Sequence, residues 1–114
     1  MNTIDDTTRR AARLFLGRLA PQFDIVGAIL YGSRARGTHR PDSDADVLVL
    51  LKGLHGKFVR VKLEMTDVAY DVLLETGVYI SPLPVWLDEW EHPDRYSHPE
   101  LLRNIAREGI ELER

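Results

Sequence analysis

The sequence predicts an α/β (α+β) domain in which a small mixed β-sheet is flanked by helices, and three features of the chain predict it. Two short apolar runs, Ile25 to Tyr31 and Ala45 to Leu51, have the composition of strands buried on both faces. A long amphipathic segment, Phe58 to Glu75, follows at helical period and leads to a third extended run. A polar stretch bearing two glycines and a proline separates the first two runs. The resulting order of helix, strand, polar turn, strand, long helix, strand and helix implies helices packed on a sheet in two layers.

Each element has its own signal. From Thr3 to Leu19, Ala12, Phe15, Leu16 and Leu19 recur at helical spacing, with Asp5 and Asp6 where a helix N-terminus favours negative charge. Pro21 ends that helix, and the strand Ile25 to Tyr31 follows. Residues 32–44 are polar, and the second strand, Ala45 to Leu51, is closed by Lys52-Gly53. In the long helix Phe58, Val61, Met65, Val68, Ala69, Val72 and Leu73 form one face, and Gly77 stands at the position of a C-terminal cap. Val78 to Val85 reads as a third strand whose Pro82 and Pro84, unable to donate to a ladder, point to an edge or a strand end. Trp86 to Arg95 reads as irregular, Pro99 to Glu108 as a last helix closed by Gly109, and Ile110 to Leu112 as extended.

With 114 residues, one domain spanning 1–114 is expected, with the 44% hydrophobic and 29% charged content of an ordinary globular protein. The absence of cysteine removes disulfides and thiolate metal sites and permits a reducing interior. The N-terminus lacks the pattern of a signal peptide, and no apolar stretch approaches the roughly 20 residues needed to span a bilayer, so a cytoplasmic, non-membrane protein is expected. A formal net charge of -3 offers no global attraction for polyanions, so direct nucleic-acid binding is not expected. No internal repeat is visible, and His39, His55, His92 and His98 show no spacing of a zinc site.

The chemistry lies between the first two strands, in Tyr31-Gly32-Ser33-Arg34-Ala35-Arg36-Gly37-Thr38-His39-Arg40-Pro41-Asp42-Ser43-Asp44-Ala45-Asp46. A glycine directly after a strand lets the backbone turn sharply and approach a ligand, and Ser33 adds a hydroxyl and main-chain N–H groups at a helix start, a combination suited to phosphate oxygens. Asp44 and Asp46, two apart at the mouth of a strand, project from one face and can share a hard divalent cation, for which Mg²⁺ is the natural occupant. Arg34, Arg36, His39 and Arg40 lie in the intervening loop, where they could compensate the charge of a triphosphate. Alone, a Gly-Ser bend is a common turn and an Asp-x-Asp pair an ordinary solvated strand end. The conjunction is what points to phosphoryl or nucleotidyl transfer.

Gly32-Ser33, ten intervening residues and Asp44-Ala45-Asp46, with an apolar strand on each side, resemble the signature of the DNA polymerase β-type nucleotidyltransferase superfamily. At this length the chain is similar to the minimal nucleotidyltransferases (MNT), the antitoxin half of HEPN/MNT toxin-antitoxin pairs. The resemblance implies a nucleoside triphosphate held at Gly32 and Ser33 with Arg34 or Arg36 assisting, and Mg²⁺ held by Asp44 and Asp46 as the catalytic pair. For the antitoxin branch it implies transfer of AMP from ATP to a tyrosine of the HEPN toxin. Active members of that superfamily carry a third carboxylate on the next core strand, whereas Val78 to Val85 contains no acid and offers Ser81 in its place. Asp71 is the nearest upstream acid, but with Glu64, Asp67 and Glu75 it reads as a solvated stripe of the long helix. The alternative is therefore a catalytically impaired protein that keeps the fold and acts by stoichiometric binding to its partner. Modification of a small molecule is disfavoured by the lack of chain for an acceptor domain, and self-association into a homo-oligomer is left open.

Overall fold

The computed structural model describes residues 4–54 and 56–112, so the expected helix start at Thr3 and His55 lie outside the described residues. Helix α1 (Asp6–Leu19) begins where Asp5, in an extended conformation, accepts the Thr8 amide at 3.2 Å. This satisfies one of the donors that a helix start leaves without an intrahelical acceptor. Strand β1 (Ile25–Tyr31) runs into Gly32 and a one-turn helix α2 (Ser33–Arg36), and β2 (Ala45–Leu51) returns antiparallel to β1. Helix α3 (Phe58–Thr76) then carries the chain back so that β3 (Ile80–Trp86) lies parallel to β2. As expected, Gly77 caps α3 in the left-handed conformation, its N–H bonding the Leu73 carbonyl. A short helix α4 (Leu87–Glu91), a 3-10 turn (Pro93–Arg95), α5 (Pro99–Glu108) and a two-residue strand β4 (Ile110–Glu111) complete the fold. The sheet order is β3-β2-β1-β4, mixed in direction.

The expectation of two layers is corrected by the packing. Val47, Val49 and Leu51 of β2 join a core with Phe15 and Leu19 of α1 and Met65, Ala69 and Val72 of α3. Leu48 and Leu50, on the opposite face by strand alternation, join Val85 with Leu102 and Ile105 of α5. Helices therefore cover both faces, because a strand as uniformly apolar as Val47 to Leu51 leaves neither face fit for water.

The aromatic residues after β3 divide between these two cores. Trp86 packs with the α3 side, while Trp90 and Tyr96 pack with the α5 side. The expected irregular segment is part helix, because the Glu89 carboxylate accepts the Trp86 amide at 3.2 Å and caps α4. Pro82 and Pro84 sit on the edge strand in register with Val47 and Val49. Two apart on a parallel edge, both nitrogens point to the open side, where no ladder bond is lost.

Candidate active site

Antiparallel pairing of β1 with β2 brings the two ends of the polar stretch together. Tyr31 is in register with Asp46, so Gly32, one step past Tyr31, lies against the Asp46 side chain. Gly32 adopts φ 75 and ψ -156, a region open essentially to glycine alone. A Cβ there would collide with Asp46 Oδ2 and stand 3.4 Å from Asp46 Cγ. The backbone of the Gly-Ser turn and the carboxylate of the strand are thus in direct contact, which only a residue without a side chain permits. Ser33 follows as the first residue of α2; the Ala35 and Arg36 amides both donate to the Gly32 carbonyl at 3.1 Å, while the Ser33 and Arg34 amides come before any intrahelical acceptor.

The acids form an under-compensated pair. Burial, then the negative charge of Asp44, raises the proton affinity of Asp46 above the ordinary carboxylate range, and only the Arg36 guanidinium works against them. No hydrogen bond from the described residues reaches the Asp46 side chain, which is half-buried, while Asp44 is exposed. Beside Asp46 on the same face stands Tyr31, whose phenol is pushed up to about 12 by burial, by Asp46 and by Tyr96. It stays neutral near pH 7 and packs against the α5-side core. On the other side, β3 places Ser81 in register with Asp46. Ser81 therefore occupies the adjacent-strand position next to the pair, and Asp71, exposed on α3, does not enter it.

Two of the arginines part company. Arg36 is exposed and close enough to Asp46 to act on its charge. Arg34, expected to assist at the phosphates, is instead 3% exposed and bound within the protein. Its Nε and Nη2 donate to the Ser43 carbonyl at 3.0 and 2.8 Å, Nη2 also to the Pro41 carbonyl at 3.2 Å, and Nη1 to Thr8 Oγ1 at 2.8 Å. Thr8 in turn donates to Asp5 at 2.6 Å, and His39 Nε2 lies 3.5 Å from the same carboxylate. Burial raises the proton affinity of Asp5, but the Thr8 hydrogen bonds, with His39 and Arg34, more than offset it and hold Asp5 below its usual range. Sequence reasoning missed this network, although Asp5 three residues before Thr8 is a capping pattern that a search for helix starts can find.

A divalent cation fits the donor set. Two carboxylates, one of them half-buried and with Arg36 as a distant counter-charge only, gain from a further positive charge, and oxygen donors suit Mg²⁺. Among the described residues no three His, Cys, Asp or Glu side chains gather as a ligand cluster. Mg²⁺ is commonly held by one or two carboxylates, with phosphates and water completing its shell.

An α/β sheet that closes a glycine-serine turn onto a carboxylate pair at a strand end has the chemistry to meet phosphate oxygens and a cation together. The comparisons narrow this chemistry. The chain belongs to the nucleotidyltransferase domain family, whose model matches residues 10–108. It is 34% identical over 73 residues to a putative protein adenylyltransferase of Methanocaldococcus jannaschii, an alignment covering 62% of this chain and 50% of that protein. The chain thus spans half the length of that curated relative. A crystal structure of a putative nucleotidyltransferase from Sulfolobus solfataricus shares the fold, with a TM-score of 0.58 at 20% identity over 91% of this chain and 78% of that one. Family membership and the adenylyltransferase relative support nucleotidyl transfer as the general reaction class. No helix among the described residues is long and apolar enough to cross a membrane.

Proposed function

We propose that this chain is a Mg²⁺-dependent nucleotidyltransferase that moves AMP from ATP to a side-chain hydroxyl of a partner protein, as the antitoxin of a HEPN/MNT pair. The observation supporting this reading is the contact between the Gly32 backbone and the Asp46 carboxylate, by which phosphate oxygens on the turn and a cation on the acids would lie within one ligand's reach. Its protein-modifying direction is supported by the adenylyltransferase relative.

In this reading Gly32 and the Ser33 amide and hydroxyl receive phosphate oxygens, Arg36 offsets their charge, and Asp44 and Asp46 hold the cation. The cation supplies charge neutralisation at the phosphates. The acceptor oxygen bonds to the α-phosphorus as the bond to the pyrophosphate oxygen breaks, so pyrophosphate leaves and the hydroxyl proton passes to solvent.

A second reading, stoichiometric binding without transfer, is favoured by one observation: Ser81, not a third acid, is the β3 neighbour of Asp46. The two separate on incubation with ATP labelled at the α-phosphate, Mg²⁺ and the product of the adjacent reading frame. Transfer predicts a labelled neighbour, with Asp44→Ala abolishing the label and leaving the complex intact. Equal binding and equal protection by both proteins without label establishes the second reading instead.

A further inference from the structure

We propose that Arg34 is a positioning residue: by fixing the Ser43–Asp44 peptide it sets where the Asp44 carboxylate stands relative to Asp46, and hence the cation affinity of the pair. This rests on the reading of Asp44 and Asp46 as a cation site.

The two acids are held in different ways. Asp46 lies within β2, in register with Tyr31 on one side and Ser81 on the other, so the sheet itself fixes it. Asp44 precedes the strand and is exposed. What holds its backbone is a clamp. On one side the Ala45 amide donates to the Tyr79 carbonyl at 2.9 Å. On the other, Arg34 directs two donors onto the Ser43 carbonyl, at 3.0 and 2.8 Å. That carbonyl shares a planar peptide with the Asp44 nitrogen, so fixing it fixes the plane from which the Asp44 Cα departs.

Arg34 suits this work because its guanidinium is a rigid fork. It bonds the Pro41 and Ser43 carbonyls together while Nη1 reaches Thr8 on α1. A lysine at the same place has one nitrogen on a flexible stem and cannot reproduce the two-carbonyl geometry. Arg34 also follows Ser33 directly in sequence, so the residue that orders the acid loop departs from the phosphate-binding turn itself. Its buried charge is compensated through the Thr8 hydroxyl, which donates to Asp5 at 2.6 Å. The side chain is thereby spoken for on every side that carries a partner, and its effect on a bound cation passes through Asp44.

The test uses Mn²⁺ alone as probe, its binding to the full chain read by electron paramagnetic resonance, with urea unfolding followed in parallel. Arg34→Lys is expected to weaken Mn²⁺ binding about 10-fold, the scale on which residues orienting metal ligands act. It is expected to cause no further loss once Asp44→Ala is present. Met65→Ala, a destabilising change in the core beneath α3, is expected to leave Mn²⁺ affinity where it was, which separates positioning from general loss of stability. Should Arg34→Lys fail to fold, Arg34→Gln, whose shorter amide cannot span the Pro41 and Ser43 carbonyls and which removes the buried charge, is held to the same expectation. Unaltered Mn²⁺ affinity in the Arg34 variant, or equal weakening with and without Asp44, overturns the proposal. Absence of Mn²⁺ binding by the wild-type chain overturns it together with the cation reading, and is told apart by the wild-type titration alone.

Discussion

Replacing Gly32 by alanine tests the contact on which the site is built. The change has two costs. The first is conformational: at φ 75 and ψ -156 an L-residue is strained, by about 1–3 kcal/mol. The second is local: the new methyl group occupies the place of Asp46 Oδ2, so the carboxylate must turn away, at about 0.5–1.5 kcal/mol for a side chain driven off its rotamer. Together they come to roughly 1.5–4.5 kcal/mol, which at about 4 °C per kcal/mol for a domain of this size lowers Tm by roughly 6–18 °C. The two costs separate in a double-mutant cycle. With Asp46→Ala in place, the nearest atom to the new methyl is the residue 46 Cβ at 3.7 Å, an ordinary contact, so only the conformational cost remains. Gly32→Ala should therefore destabilise the Asp46→Ala protein by about 1 kcal/mol less than the wild type, measured by urea unfolding at neutral pH. A Gly37→Ala control, at a left-handed glycine with nothing within 4 Å of its would-be Cβ, should show the conformational cost and no coupling to Asp46. If the Gly32 and Asp46 changes add to within about 0.5 kcal/mol, the turn and the carboxylate are not in contact and the reasoning fails.

Other expectations follow from the same geometry. Because the proton affinity of Asp46 is raised in the folded chain, the native state binds more protons than the unfolded one between the ordinary carboxylate pKa and the raised value, and stability falls as pH rises through that window. Asp46→Asn should accordingly be more stable than wild type at pH 7 in the absence of metal, lose that advantage in acid below the carboxylate range, and bind Mn²⁺ poorly; a wild type more stable than the variant at pH 7 would contradict the sign. Tyr31 should ionise only near pH 12, so ultraviolet titration of Tyr31→Phe should lack one late phenolate step, and loss of an early step would refute the buried assignment. Gly109 has an ordinary φ of -73, yet a Cβ there would strike Ile29 and the Ile105 carbonyl at 2.6 Å. Gly109→Ala should therefore cost about 1–3 kcal/mol by overpacking, and a neutral result in thermal unfolding would mean that α5 can move off β1.

Much of this architecture could be read from the chain because the relevant signals are local. Ile25 to Tyr31 and Ala45 to Leu51 are strands with the bounds their apolar runs suggest, and Gly77 caps α3. The third strand begins at Ile80 and not at Val78, since the Thr76 hydroxyl takes the Val78 amide at 3.2 Å and delays the ladder. The two-layer expectation sat uneasily with the same two apolar runs, whose lack of alternation already asked for cover on both faces. The helix Leu87–Glu91 went unread because Trp86, which precedes it, has none of the side-chain chemistry by which helix starts are usually recognised. At the site, residue types and spacing pointed to Gly32, Ser33, Asp44 and Asp46, but the direct approach of Gly32 to Asp46 depends on β-strand register. Arg34 was misplaced for the converse reason. A basic residue in a glycine-bearing loop looks solvent-borne, and only the path of residues 41–43 back across it provides the carbonyls that bury it.

The two prolines of β3 have a consequence for how anything larger than a nucleotide meets this molecule. An incoming polypeptide cannot extend the sheet on that margin, because alternate nitrogens there have no hydrogen to offer and a continuous backbone ladder cannot form. The opposite margin is different in kind, since among the described residues β4 pairs there with only Ile29 and Leu30 of β1. Main-chain zippering is thus closed along the proline margin, and any macromolecule that docked there would have to be chosen by side-chain chemistry, so that its selection would be open to change by point substitution without disturbing the framework that holds the acids.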